Sequence, residues 1–330
     1  MGRTSSISSS DGWPRAAIVA LLSILSIEAA IDRREWPRPD INNSLEVTRR
    51  IATMTTAPGL VIIGDSVGLQ LARGLETADP RIVNLATGIY TEPTGQLFLM
   101  NRLLDRDLGP KQVLYISRSL IGRNLELRAT ENYFQRIYLQ VDEILDVLIH
   151  KGDPAFSLKT LAYRLSPSFR HRMVLQRNLI GRFTTPLFHD AEAWSRHALQ
   201  GQHSLQRLIP RIGWIGEAGS LSEHDFVRLV RRLEQAQVPL TWLRAPYPRD
   251  RGPQSPADAR REHALLSQLA SQHEHFAYWM WDDFARDPAE FVDGIHLNDP
   301  SLETCTRILE SRIRGQFPDL LAQAPPTWTP

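Results

Sequence analysis

At 330 residues the chain is long enough to hold one large domain or two small ones around a substantial core. Its hydrophobic share of 42% and charged share of 23% are those of a globular protein, and a formal net charge of +1 gives no electrostatic argument for a nucleic-acid partner. The single cysteine, Cys305, excludes an intrachain disulfide and leaves the redox compartment open.

The first element is a Ser-rich opening with Arg3 and Arg15, leading into an apolar run from Ala16 to Ile31 that only Glu28 interrupts. This reads as a signal peptide or short signal-anchor, close to the lower limit of roughly 17 residues for a membrane span. Residues 1–44 are therefore expected to be an export segment plus linker. The protein is expected outside the cytoplasm, held to a membrane by residues 16–31 and facing the periplasm or cell exterior. A soluble amphipathic helix is the alternative reading of the same run.

Residues 45–330 read as one αβα domain. Leu45 to Met54 can form a helix, and Leu60 to Ile63 a strand ending in the turn Gly64-Asp65. Ser66 then opens a segment whose Val67, Leu71 and Leu75 recur at helical spacing. Arg81 to Leu85 is a second strand, Gln96 to Asp107 a helix, and Gln112 to Ile116 a continuously apolar third strand suited to a sheet covered on both faces. Glu131 to His150 is a long amphipathic helix. The pattern loosens over residues 151–219, which read as a helical insertion or lid with arginine-rich stretches. After it, Ser222 caps a helix with Phe226, Leu229, Val230 and Leu233 inside, supported by Asp225 three residues on. Val238 to Arg244 is a fourth strand, Ala257 to His273 a helix and Phe276 to Trp279 a fifth strand. The last helix starts near Pro300 with Asp299 as its N-cap.

Strands alternating with helices imply a mostly parallel five-stranded sheet between two helix layers. In such open sheets ligands bind beyond the carboxyl ends of the strands, so Ser66, Gly88, Ser117 and Pro246 are expected to share one rim. A helix N-terminus offers unpaired N–H groups, which makes Ser66 a candidate nucleophile beside a ready-made oxyanion site. A serine hydroxyl needs a base, and the base needs a group that fixes its tautomer. Asp293 and His296, separated by two residues in the loop before the last helix, can supply both. The plain alternative is a capped turn at one end and a helix-entry loop at the other.

Taken together, Gly64-Asp65-Ser66 early and Asp293-Gly294-Ile295-His296 late resemble the GDSL or SGNH hydrolase superfamily, over about residues 58–315. The resemblance implies a three-layer αβα, flavodoxin-like fold and acyl-ester chemistry without cofactor or metal. It implies Ser66 as nucleophile, His296 as base, Asp293 as its orienting acid and Gly88 as an oxyanion N–H donor. The family's Gly-x-Asn after the third strand is replaced here by Ser117-Arg118-Ser119, with Asn124 five residues later. Ser119, Arg118 and Asn124 are the candidates for the missing amide donor, whose loss typically costs about 2.7–4 kcal/mol of transition-state stabilisation. A similar departure together with an N-terminal tether is found in membrane-anchored polysaccharide O-acyltransferase branches. Those imply an acyl-ester or polysaccharide substrate and a membrane-bound acyl-exporting partner. A non-catalytic glycan-binding or assembly module and an intracellular carboxylesterase are the competing functions.

Weaker signals carry less. His273-Glu274-His275 lacks the i, i+4 histidine spacing of a zinc protease and reads as a solvated helix end. The arginines and histidine between Arg164 and Arg182 read as a solvated face, Trp279 and Trp281 as core, and Cys305 as a small buried residue.

Overall fold

The computed structural model describes residues 12–33, 44–79, 81–87, 93–118, 120, 140–151, 161–162, 165–170, 218–249, 256–280, 285–293 and 295–319. In chain order these form α1 (Gly12–Arg33), α2 (Ser44–Thr53), β1 (Leu60–Gly64), α3 (Ser66–Ala78), β2 (Ile82–Asn84), α4 (Pro93–Leu104) and β3 (Gln112–Ser117). There follow α5 (Val141–Lys151), the single turn α6 (Pro167–Arg170), α7 (Ala218–Gln235), β4 (Leu240–Arg244), β5 (Tyr247–Pro248), α8 (Pro256–Gln272), β6 (Phe276–Trp279), β7 (Ala285–Arg286) and α9 (Asp299–Gln316). The chain divides into two compact units, residues 1–38 with 147–214, and residues 39–146 with 215–330.

The larger unit contains a five-stranded sheet in the order β2-β1-β3-β4-β6, parallel throughout. Its strands are short and mostly apolar, as a sheet covered on both sides requires, with buried Asn84, Gln112, Ser117 and Thr241 as polar exceptions. On one face Leu60, Ile62, Leu114, Ile116 and Leu243 pack against Val67, Leu71 and Leu75 of α3 and Cys305, Leu309 and Ile313 of α9. Each helix contributes residues four apart, on the stripe that a core-facing helix presents. On the other face Phe226 of α7 meets the Tyr115 ring at 5.8 Å and the Phe276 ring at 5.9 Å, and α4 packs along α7. The result is the expected three-layer α/β fold. The two-residue strands β5 and β7 pair with each other just beyond β4 and β6, an addition that runs too short to show periodicity.

Several boundaries move for identifiable reasons. α4 begins at Pro93, three residues before the expected start, because proline suits a first turn whose N–H groups have no intrahelical acceptor. It ends at Leu104, and Asp107 turns away with a φ of 56°. α7 starts at Ala218, so Ser222 lies inside it and is not its first residue. Asp225 is also no capping partner: buried, it accepts hydrogen bonds from Thr94 on α4 and from Arg228. The N-cap of α9 is Asn298, one residue before the expected Asp299, and its side chain accepts from the Ser301 N–H at 3.1 Å. The amide suits this position as well as a carboxylate does. Of the helix expected over residues 131–150, residues 131–139 lie outside the described residues, as do most residues of the 151–219 insertion.

In the smaller unit, the apolar side chains of α1 are exposed on every side; Ile18, Val19, Leu21, Leu22, Ile24, Leu25 and Ile27 are each more than half accessible. Glu28 is held within this unit by Ser166 and Ser168, whose hydroxyls and one backbone N–H all donate to its carboxylate. Among the described residues, no helix is long and apolar enough to cross a membrane.

Candidate active site

The site starts from a turn that only glycine permits. At the end of β1, Gly64 has a φ of +148°, and a β-carbon there would lie 1.9 Å from the Ile116 carbonyl oxygen of β3. A second close approach follows at Gly68, where a β-carbon would lie 2.8 Å from the same oxygen. The chain reverses between these two contacts and enters α3. Asp65 is the N-cap: its Oδ1 accepts from the Val67 N–H at 3.0 Å and from the Gly68 N–H at 3.2 Å. Its Oδ2 accepts from the Arg118 backbone N–H at 3.1 Å and from the Arg118 Nε at 3.5 Å. One buried carboxylate thus starts the helix and ties the segment after β3 to the turn after β1.

This leaves Ser66 at the first helical position, half-buried, with its hydroxyl directed to the histidine loop. The Ser66 N–H meets no acceptor among the described residues, because the cap satisfies the next two amides and not this one. It is one of the orphan donors of a helix start, where the dipole favours negative charge.

The opposing loop is closed by an isolated antiparallel bridge between Phe291 and Leu297, both buried in the core. Within it, Asp293 Oδ1 accepts from the Ile295 N–H at 3.0 Å and the His296 N–H at 2.8 Å. Asp293 Oδ2 lies 2.7 Å from His296 Nδ1, and His296 Nε2 lies 2.9 Å from Ser66 Oγ. Burial works against ionisation of Asp293, but the His296 and Ile295 amides and the His296 ring outweigh it and hold its carboxyl at about 2. An ionised carboxylate can only accept, so Nδ1 carries the proton and donates. Nε2 is then left with its lone pair toward the Ser66 hydroxyl.

Of the residues singled out in the sequence, Ser66, Asp293 and His296 are brought together. Arg118 is beside the turn after β1, its N–H and Nε on Asp65. Gly88, Ser119 and Asn124 lie outside the described residues, but the chain leading to Gly88 is fixed: the Thr87 N–H donates to the Gly64 carbonyl at 3.2 Å. Ser117 is buried, and its hydroxyl accepts from the Trp242 Nε1 at 2.9 Å. His273 faces Glu234 through Nδ1, and Cys305 is buried with its thiol pushed up to about 11 by desolvation. Two residues that the sequence reading passed over belong to the same rim. Gln96 of α4, fully buried, donates through Nε2 to the Gly64 carbonyl at 3.3 Å. Glu262 of α8, also fully buried, accepts from the Leu120 N–H at 2.6 Å. The signal for Glu262 was present: it shares the spacing of Leu266 and Leu269, the buried face of its helix.

A separate cavity of about 550 Å³, lined among others by Phe98, Asn101, Arg102, Asp105, Glu143 and Asp146, contains none of these residues. Its polar wall is set by the buried Arg102–Glu143 pair, with nitrogen–oxygen distances of 2.6 and 2.7 Å.

Chemically, a hydroxyl, an imidazole and a carboxylate in this order can deprotonate the hydroxyl as it attacks a carbonyl. No family model matches the chain, and no curated protein matches it. Among solved structures it is similar to the crystal structure of a "putative acylhydrolase" from Bacteroides fragilis, at 9% identity and a TM-score of 0.36, covering 86% of this chain and 99% of that one.

Proposed function

We propose that the chain is a serine hydrolase of acyl esters, with Ser66 as nucleophile, His296 as general base and acid, and Asp293 as the residue orienting His296. The observation that carries the reading is the unbroken relay of 2.9 Å and 2.7 Å from Ser66 Oγ through the imidazole to Asp293. These lengths fall within the range of a nucleophile held by its base. In the first step the Ser66 oxygen attacks the ester carbonyl while its proton passes to His296 Nε2. The Ser66 N–H receives the developing oxyanion. His296 then returns that proton to the leaving alkoxide, leaving an acyl-serine. A second nucleophile, activated in the same way, releases the acid or a new ester.

Water as that second nucleophile gives an esterase, and a sugar hydroxyl gives an O-acyltransferase acting on a polysaccharide. The steps up to the acyl-serine are common to both, and hydrolysis is the reading we adopt. We further propose that the protein is exported and kept at a membrane by residues 16–31, beside a partner that supplies acyl groups in the transferase case. The apolar side chains that α1 exposes on every side support the membrane contact.

The test is covalent labelling. A fluorophosphonate probe should label the full chain, Ser66→Ala should abolish the signal, and the labelled peptide should contain Ser66. Labelling undiminished by the substitution overturns the assignment. A folded wild type that is never labelled points instead to a non-catalytic binding module.

A further inference from the structure

The segment that follows β3 is held at two alternate amides by two carboxylates from different parts of the fold. The Arg118 N–H donates to Asp65, the residue before the nucleophile, at 3.1 Å. The Leu120 N–H donates to Oε2 of Glu262, on α8, at 2.6 Å. Between them stands Ser119, the position where the SGNH resemblance expects a side-chain donor to the oxyanion.

Glu262 is unusual on physical grounds. It is fully buried on the face of α8 that carries Leu266 and Leu269. Its Oε1 accepts from the Arg244 Nη2, and Arg244 is the register partner of Ser117 at the ends of β4 and β3. The Arg244 guanidinium lies 5.9 Å from the centroid of the Trp242 ring. A buried ion pair is weak evidence for stability, since apolar residues of similar volume often serve a fold as well or better. What an apolar pair cannot do is accept the Leu120 N–H.

We propose that Glu262 is a positioning residue for acyl transfer. It fixes the Leu120 amide from the α8 side while Asp65 fixes the Arg118 amide from the Ser66 side. The Arg118 and Leu120 amides, on either side of position 119, are thereby both held in place when charge develops on the substrate oxygen. Charge-assisted hydrogen bonds to carboxylates are short and strong, which suits them to hold a backbone in place. Arg244 acts one step further out, by aiming the Glu262 carboxylate through its Oε1. The inference rests on the reading of Ser66 as nucleophile and adds a residue that touches neither the triad nor the substrate.

Two double variants isolate the Leu120 contact from the ion pair. Arg244→Met with Glu262→Gln removes both charges and keeps an oxygen acceptor at position 262. Arg244→Met with Glu262→Met removes the charges and the acceptor. With an activated acetyl ester as substrate, the second should lose about 10²-fold in kcat, the cost of a misplacement near 1 Å. Its KM should stay close to that of the wild type, while the glutamine variant stays within a few-fold in kcat. Should the Met/Met chain not fold, an ester in place of the Leu120 amide deletes the donor alone and should lower kcat in the same way. Equal kcat for the two double variants, or an undiminished kcat with the backbone ester, overturns the proposal while leaving the triad reading intact. A wild type that hydrolyses no ester and resists the fluorophosphonate overturns both.

Discussion

The two halves of the candidate site are built on opposite plans. The turn carrying Ser66 is determined from outside. Gly64 fits only because β3 passes 1.9 Å from where a β-carbon would stand, and its carbonyl accepts from Thr87 beyond β2 and from Gln96 on α4. Asp65 accepts from four N–H groups on two segments. The loop carrying Asp293 and His296 is determined from inside. Among the described residues the carboxylate bonds only to residues two and three positions away, and its side chain is 52% exposed, that of His296 34%. The Phe291–Leu297 bridge beneath it joins the core. The position of Ser66 is thus a property of the whole sheet, whereas Asp293 and His296 are set within six residues. Damage to the turn should appear as lost stability, and damage to the loop as lost rate.

The sharpest way to break that comparison is Asp293→Asn. The amide oxygen can still accept both loop N–H groups, so the fold should survive with its melting temperature nearly unchanged. The –NH2 group facing Nδ1, however, favours the imidazole tautomer with its proton on Nε2, pointing at Ser66. A drop in kcat of about 10⁴-fold is expected, as for other triads with this change, or about 5.4 kcal/mol of transition-state stabilisation. A variant that loses stability in step with activity would show that the loop supports the fold after all. The opposite result is expected of Gly64→Ala. The added β-carbon collides with a backbone oxygen that belongs to a central strand and cannot retreat. Denaturant unfolding should then show a loss of about 4 kcal/mol or more, at the exceptional end of single substitutions. If Gly64→Ala unfolds at the wild-type midpoint, the turn is not held by the sheet in the way described.

The same contrast explains what was legible in the sequence. The fold class followed from period: largely apolar runs of four to seven residues separated by helical stripes leave few alternatives to a parallel sheet with helices on both faces. Asp293 and His296 could be paired from sequence because their interaction is local, three residues along one loop. Ser66 could be suspected because a strand, a glycine and a helix start are contiguous. The long-range parts could not be read. Nothing near Asp225 reveals that Thr94 will claim its carboxylate 131 residues away, and so it passed for a capping residue. Glu262 gave a local sign, a charge on an apolar stripe, but its partner at Leu120 is 142 residues distant and depends on how α8 packs. The cap of α9 fell one residue from its expected place because Asn298 and Asp299 are both good caps, and the geometry of the Phe291–Leu297 closure decides between them.

The smallest expected effect concerns the charge of Asp293 and sharpens the division between rate and stability. Its carboxyl is held at about 2, below the usual 3.8, so the folded state favours the ionised form. The linkage then has a definite sign. The contribution of Asp293 to stability is complete above about pH 4 and is lost as the pH falls through about 2. Because the side chain is half exposed, solvent screening limits this contribution to at most about 1 kcal/mol. The Asp79 carboxyl is also held below its usual value, chiefly by its hydrogen bond from Arg81, but it is common to wild type and Asp293→Asn. The stability difference between the two proteins isolates the loop. It should be small and constant from pH 5 upward and shrink toward pH 2, read from thermal unfolding at intervals of half a pH unit. A difference that holds constant down to pH 2 would mean that the loop amides bind the neutral and ionised carboxyl equally. The orientation of His296 would then have to come from the Phe291–Leu297 closure and not from Asp293.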